Sequence, residues 1–146
     1  MSRLVVLALL ALFAAPSRGA ELVVWLPYAT AARQSKAQQL PLLLYFTDPH
    51  CGPCRALEAQ VFANPKAAAT VNSGYRPVRV VINGPAPVPA ETPRLVKKYG
   101  VPGAPTVIIV APTGSELRRF AWLGSQEVTG ILNRLAGVLS AGPGAP

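Results

Sequence analysis

Two short, uninterrupted apolar runs constrain the fold of this chain most strongly. The run LLLYF (residues 42–46) is bounded by Pro41 and Asp48-Pro49, and the run TVIIV (residues 106–110) follows a turn rich in proline and glycine. Runs of this length, bounded by turn residues, are typical of β-strands that are buried on both faces. Such strands need helices on each side of their sheet, so the runs predict a layered α/β domain.

The rest of the pattern supplies helices and further strands. The predicted order is strand, helix, strand, helix, helix, strand, helix, strand, strand, helix, and it begins with a strand at Leu22–Trp25 at or near a sheet edge. The turn APTGSE requires antiparallel pairing of the last two strands, whereas the earlier helical crossovers favour parallel pairing. The prediction is therefore a mixed central sheet flanked by helices. The last helix is predicted to carry one apolar face: Val128, Ile131, Leu132, Leu135, Val138 and Leu139.

The length of 146 residues predicts one folded domain. Residues 1–19 have the layout of a secretory signal peptide, with Arg3 followed by the apolar run Leu4–Ala15. An uncleaved anchor is the less favoured alternative, because this run is shorter than the roughly 20 residues that span a bilayer. Residues 20–140 are predicted to form the domain, and residues 141–146 a disordered tail. We expect a periplasmic or otherwise exported protein, whose contact with a membrane, if it makes any, is through an uncleaved signal segment.

The charge pattern argues against nucleic-acid binding. The formal net charge is +8, but the basic residues are scattered, and only Lys97-Lys98 and Arg118-Arg119 are adjacent. No basic run is interleaved with aromatic residues that would stack on bases. Solvated faces of helices and strands are the favoured interpretation.

One loop has an unusual composition. The stretch NGPAPVPAETP (residues 83–93) contains four prolines after its glycine. We interpret it as a surface loop, with ligand recognition as the less favoured alternative.

The only two cysteines, Cys51 and Cys54, lie three positions apart where a helix is predicted to begin near Pro53. The amino-terminal end of a helix carries partial positive charge and stabilises a thiolate, so Cys51 is the predicted nucleophile. Cys54 is placed to resolve the resulting mixed disulfide. The exported location permits a Cys51–Cys54 disulfide to form, and no other cofactor is expected.

Two other uses of the cysteine pair are less favoured. A purely structural bridge would close a very short loop, for which loop-closure models give little stabilisation. A metal site would need more ligands than one Cys-x-x-Cys motif and His50 supply, so no metal is expected. The alternative function is a non-catalytic binding or assembly module with a permanent bridge.

The cysteine motif and a downstream turn together resemble the thioredoxin superfamily. The motif is His50-Cys51-Gly52-Pro53-Cys54-Arg55 after LLLYF, and the turn is Gly103-Ala104-Pro105-Thr106 before TVIIV. The resemblance extends over roughly residues 21–139. The stretch FANPKAAATVN makes the chain most similar to exported thioredoxin-like domains allied to the C-terminal domain of the bacterial transmembrane thiol reductase.

This resemblance implies a three-layer thioredoxin-like fold and a thiol-disulfide oxidoreductase. It implies that Pro105 is the cis-proline packed against the sulfurs, with Ala104 and Thr106 offering backbone contacts to a bound peptide. Gly52 and Pro53 would support the active site. The implied partners are protein disulfide substrates and a membrane or soluble thiol reductant, and we expect a monomer.

The chain departs from the family pattern at two positions. The residue before the first cysteine, usually tryptophan in thioredoxins, is His50, and the buried acidic residue six positions before that cysteine is replaced by Tyr45. Glu58, one helical turn beyond Cys54, is the candidate substitute proton acceptor, or else an exposed solubilising residue. His50 lowers the pKa of Cys51 when protonated, shapes a recognition surface, or is simply solvated. The Gly-Pro pair between the cysteines resembles the reducing thioredoxins and favours a reductase or disulfide-exchange role.

Overall fold

The computed structural model describes residues 21–140, with side chains described up to residue 138. The predicted signal segment and tail therefore lie outside the described residues. The α-helices in this range are α1 (Tyr28–Gln38), α2 (Gly52–Leu57), α3 (Pro65–Gly74), α4 (Glu91–Tyr99) and α5 (Ser125–Ser140). The strands are β1 (Leu42–Thr47), β2 (Arg76–Val81), β3 (Thr106–Val110) and β4 (Glu116–Phe120), and a π-helical segment, Glu58–Phe62, continues α2. Within the described range no helix is long and apolar enough to cross a membrane.

The four strands form one mixed sheet in the order β2-β1-β3-β4. Strand β1 pairs in parallel with β2 and antiparallel with β3, and β3 pairs antiparallel with β4. Every residue of β1 and of β3 is buried. The structure thus confirms the prediction of a mixed sheet with two strands that are covered on both faces.

Separate apolar clusters cover the two faces of the sheet. Because successive side chains of a strand point to opposite faces, Leu43 and Tyr45 pack with side chains from α2, the π-helical segment, α3 and α5. Leu42, Leu44 and Phe46 pack on the other face with side chains from α1 and α4. These three layers confirm the predicted thioredoxin-like α/β architecture.

The predicted first strand at Leu22–Trp25 is wrong, because this segment makes no ladder with the sheet. The side-chain amide of Asn72 on α3 accepts from the Val24 N–H and donates to the Leu22 carbonyl, both at 2.9 Å. One backbone bond, from Leu26 N–H to the Pro77 carbonyl at 2.9 Å, ties the segment to β2. Pro77 itself has no N–H with which to continue a ladder.

The predicted apolar face of α5 is buried only in part. Val128, Ile131 and Leu132 are buried, whereas Val138 is 70% exposed. The reason is that α3 ends at Gly74, which lies beside Ala136, so the last turn of α5 extends past its neighbour.

One edge strand of the sheet is partly covered, and the other carries charged side chains. At one edge, the carbonyl of Pro77 in β2 is occupied by the hydrogen bond from the Leu26 N–H. At the other edge, β4 exposes Glu116, Arg118 and Arg119, of which Glu116 and Arg119 form an ion pair at 2.8 Å.

Helices α3 and α5 approach each other closely at Gly74. A Cβ atom added there would lie 2.9 Å from the Cβ of Ala136. We predict that Gly74→Ala lowers the free energy of unfolding by about 1–3 kcal/mol, because the helices must separate. Gly137→Ala is the matched control, since an added Cβ meets nothing within 4 Å, and it should raise stability by about 0.5–1 kcal/mol. Denaturant unfolding of both variants measures the difference, and equal effects would contradict the close approach.

Candidate active site

The two cysteines lie at the amino-terminal end of α2 and form a disulfide. Cys51 is the N-cap residue in an extended conformation, and its sulfur accepts a hydrogen bond from the Cys54 N–H at 3.1 Å. The cap position leaves Cys51 partly exposed, whereas Cys54, half a turn into the helix, is only 1% exposed. A partner sulfur can therefore reach Cys51 but not Cys54.

The turn before β3 lies against the cysteine motif. Gly103 and Ala104 line a cavity of about 310 Å³ together with His50 and Cys51. Pro105 is buried, and the Ala104–Pro105 peptide bond is cis. The hydroxyl of Thr106 donates to the Gly103 carbonyl at 2.7 Å, so this side chain closes the turn and does not face the cavity. The structure thus brings the predicted peptide-binding turn beside Cys51; the binding role of its residues stays a prediction.

The residues that flank the cysteines are exposed. His50, Gly52 and Pro53 all face solvent. A Cβ added at Gly52 would meet only the end of the Arg55 guanidinium at 3.9 Å, so packing does not require glycine there. Pro53 occupies the first turn of α2, where a missing N–H costs no helical hydrogen bond.

Glu58, which follows α2 directly, takes part in a partly buried polar network. Its Oε1 atom is 3.1 Å from the Tyr45 hydroxyl and 3.2 Å from the Thr47 hydroxyl. The Tyr45 hydroxyl is also 3.0 Å from Thr47 Oγ1 and 3.3 Å from the Cys54 carbonyl. Glu58 and Cys54 line the same cavity of about 210 Å³. The sequence-predicted acceptor therefore shares a polar space with Cys54, although its role in proton transfer stays a prediction.

Tyr45 occupies the position where the family has a buried acid. Its ring packs against Trp25 and Phe62, with centroids 5.9 and 5.0 Å away. Burial raises the pKa of Tyr45 well above its ordinary value, and the nearby Glu58 carboxylate raises it further. Tyr45 therefore remains a neutral hydroxyl, which can donate a hydrogen bond but cannot serve as a base near neutral pH.

Sequence reasoning missed Asp48 and Asn83. One carboxylate oxygen of Asp48 accepts from the His50 N–H at 2.8 Å, and the other accepts from the Asn83 side-chain amide at 2.9 Å. These bonds tie the loop that carries Cys51 to the loop after β2. The Asn83 amide, and then the His50 N–H, lower the pKa of Asp48. An available signal was Asn83-Gly84, because asparagine tolerates the left-handed conformation found here, with φ of 53°.

Asp48 should make stability depend on pH in the acid range. A carboxyl whose folded pKa is depressed adds stability above its unfolded pKa, near 3.8, and loses it as pH falls through the lower folded value. We predict that Asn83→Gly, which removes the amide without straining φ, lowers the unfolding free energy at pH 7 and does so less at pH 3. Unfolding at both pH values measures the change. In an Asp48→Asn background the same substitution should show no pH dependence, and an equal pH dependence in both backgrounds would contradict the assignment.

The arrangement suits reversible thiol-disulfide chemistry. One sulfur is accessible at a positive helix end, the second is covered and adjacent, and the carboxyl-bearing Glu58 lines the same cavity as Cys54. No group of three or more His, Cys, Asp and Glu side chains within residues 21–138 is placed to hold a metal ion.

Comparison with known proteins gives matches over most of the chain. The family described as a thioredoxin-like domain matches residues 28–134. The thiol:disulfide interchange protein DsbD 2 of Pseudomonas aeruginosa is 35% identical over 102 residues, which cover 70% of this chain and 16% of that protein. The chain therefore spans only about a sixth of this relative.

Several solved structures share the fold. A DsbH oxidoreductase superposes with a TM-score of 0.68 at 23% identity, covering 77% of this chain and 84% of that one. A thioredoxin from Thermus thermophilus gives 0.67 at 24% identity, covering 82% and 91%. The oxidised C-terminal domain of Neisseria meningitidis DsbD gives 0.60 at 21% identity, covering 73% and 90%. The predicted resemblance to thioredoxins, and to the C-terminal domain of the transmembrane reductase, is thereby confirmed.

Proposed function

Because the chain belongs to the thioredoxin-like family, we propose that it is an extracytoplasmic thiol-disulfide oxidoreductase that reduces or exchanges protein disulfides. The observation that carries the proposal is the pairing of a partly exposed Cys51 with a buried Cys54 beside the Gly103–Ala104 turn. The name of the similar Pseudomonas aeruginosa protein, a thiol:disulfide interchange protein, supports the same chemistry.

The reaction begins from the reduced dithiol. The Cys51 thiolate attacks one sulfur of a substrate disulfide, which forms a mixed disulfide and releases the other substrate sulfur as a thiolate. The Cys54 thiolate then attacks Cys51, forms the Cys51–Cys54 disulfide and releases the second substrate thiolate. Two electrons pass to the substrate, and a membrane or soluble dithiol reductant restores the pair.

The exposure of the two sulfurs assigns their order. Cys51 at the helix N-cap is accessible and feels the partial positive charge of the helix end, which favours its thiolate. Cys54 is shielded from an incoming disulfide, so it attacks only the Cys51 sulfur, once that sulfur is bonded to the substrate. The exposed His50 beside the same cavity adds positive charge when it is protonated.

Glu58 takes the proton that Cys54 loses in the second step. Asp48 and Glu58 both line the small cavity with Cys54, but the His50 N–H and the Asn83 amide already engage Asp48. The Tyr45 and Thr47 hydroxyls hold the Glu58 Oε1 atom in place. Tyr45 and Thr47 are thus positioning residues, while Glu58 acts on the reacting thiol.

Two sequence features support a direction of electron flow and a compartment. The Gly52-Pro53 pair favours a reducing role, and the signal-like segment at residues 1–19 favours an exported, periplasmic location.

The proposed activity is tested by the reduction of insulin disulfides with dithiothreitol. Cys51→Ala should lower the catalysed rate to that of dithiothreitol alone, because the remaining cysteine, Cys54, is buried. Cys54→Ala should instead trap mixed disulfides, which non-reducing gels detect. A rate equal to that of wild type in Cys51→Ala would contradict catalysis and favour the binding module with a permanent bridge.

Glu58→Gln should slow the second step selectively. We predict that decay of the mixed disulfide falls about a hundredfold at neutral pH, the usual contribution of a general base. The deficit should shrink above pH ~8.5, where a thiol ionises without help. Stopped-flow measurement of thiol release follows the step. Glu127→Gln, an exposed carboxylate in the first turn of α5, is the matched control and should be neutral. A loss that is constant across this pH range would show that Glu58 is only structural.

A further inference from the structure

A second groove lies next to the cavity that contains Cys51. It has a volume of about 620 Å³ and runs between the proline-rich loop, the first turns of α4 and the chain that returns from α4 towards β3. The groove is formed mainly by apolar side chains: Ile82, Val88, Pro93, Val96, Val101 and Pro102.

The groove and the Cys51 cavity are continuous. Ile82, Asn83 and Gly103 line both of them. Ile82 is held beside β1 by a hydrogen bond from its N–H to the Thr47 carbonyl at 2.8 Å, and Asn83 is held by Asp48. A polypeptide whose disulfide reaches Cys51 can therefore continue into the groove. It would pass over the residues that line both cavities, two of which are held in place by hydrogen bonds.

The groove has a defined wall and an apolar floor. Helix α4 ends in a left-handed residue, Gly100, after which the Val101 N–H donates to the Val96 carbonyl at 3.0 Å. This turn brings Val101 back against Val96, and both side chains, with Ile82, form the accessible edge of the apolar cluster under the sheet. Side chains already held by a packed core lose little entropy when a ligand binds.

The groove carries a positive charge. Among the described residues that line it, Lys97 alone is charged, and its side chain is exposed. An acidic residue beside a bound apolar side chain would meet this ammonium group, whereas a basic residue would be repelled.

We infer that this groove is a second substrate subsite, which binds a large aliphatic or aromatic side chain a few residues from the attacked cysteine of a polypeptide disulfide. It prefers substrates with an acidic residue near that side chain. The inference rests on the proposed function and adds the substrate class: an extended segment with a cysteine, an apolar anchor and a negative charge. The proline-rich loop, through Val88, thereby gains a role in recognition.

The test uses cysteine peptides joined by a disulfide to thionitrobenzoate. This leaving group has a low pKa, so Cys51 attacks the peptide sulfur, releases the coloured thiolate and is then resolved by Cys54. Dithiothreitol restores the dithiol. A leucine is moved one position at a time along an alanine-serine peptide on both sides of the cysteine, and glutamate or lysine is then added beside the best leucine. Hydroxyethyl disulfide, a small neutral substrate, reports on the Cys51 cavity alone.

The expected result is a preference in kcat/KM of about tenfold for leucine over alanine at one position, as partial burial of a leucine gives. Val96→Thr should lower this preference at least about threefold, and Val138→Thr, the same change on an exposed helical valine, should not. Lys97→Glu should reverse the preference for glutamate over lysine, whereas Lys66→Glu, an exposed lysine on α3 outside the groove, should leave it unchanged. All four variants should reduce hydroxyethyl disulfide at the wild-type rate.

Two failures are distinguishable. If wild type reduces hydroxyethyl disulfide but shows no positional preference among the peptides, or if Val96→Thr and Val138→Thr behave alike, the second subsite is overturned and the oxidoreductase stands. If wild type reduces neither the small disulfide nor any peptide, the proposed function is wrong and the subsite falls with it.

Discussion

Complete burial of β1 is the constraint on which the site depends. All six of its residues are buried, and five of them belong to the apolar clusters on the two faces. The strand pairs with β2 on one side and β3 on the other. Thr47 is opposite Val81, and Phe46 is opposite Thr106, so the loop that carries Cys51 emerges between the Asn83 loop and the Gly103–Ala104 turn. A shift of one residue would exchange the two faces of the strand and move Tyr45 away from Glu58.

The same burial creates the polar network beneath the cysteines. A buried phenol without a partner costs free energy, and Tyr45 finds partners in Thr47, Glu58 and the Cys54 carbonyl. Glu58 begins the π-helical segment, which the Ala63 N–H closes by donating to the Glu58 carbonyl at 2.8 Å. Such segments are frequent at functional sites. The hydrogen bonds that satisfy the buried Tyr45 hydroxyl therefore also hold the Glu58 carboxyl group near Cys54.

Much of the fold was predictable because it depends on local patterns. The buried runs 42–46 and 106–110, the helix start near Pro53 and the antiparallel pairing of the last two strands follow from hydrophobicity and turn residues. The strand at Leu22–Trp25 was mispredicted because strand-forming composition does not reveal that a side chain, Asn72, takes the backbone groups of this segment. Val138 fits the period of the apolar face of α5, but whether its side chain is buried depends on where α3 ends.

The candidate site shows the same division. The cysteines, the downstream turn and Glu58 were found from spacing, because each is fixed by its distance along one helix or before one strand. Asp48 and Asn83 were not found, since they are 35 residues apart and meet only because β1 and β2 are parallel neighbours that end together. Thr47 was also missed, because its place in the sequence does not reveal that its hydroxyl contacts Tyr45 and Glu58.

The edges of the sheet carry a further consequence. A sheet whose central strands are as apolar as β1 and β3 is prone to aggregate when its edge strands can pair with strands of another copy. Here Pro77 interrupts the outer hydrogen-bonding groups of β2, and the Leu26 N–H occupies one of them. Strand β4 carries the exposed charged residues Glu116, Arg118 and Arg119. Both edge strands thus discourage pairing with a strand of another copy. The chain can therefore keep its reactive disulfide at one end of the sheet without exposing an edge that promotes aggregation.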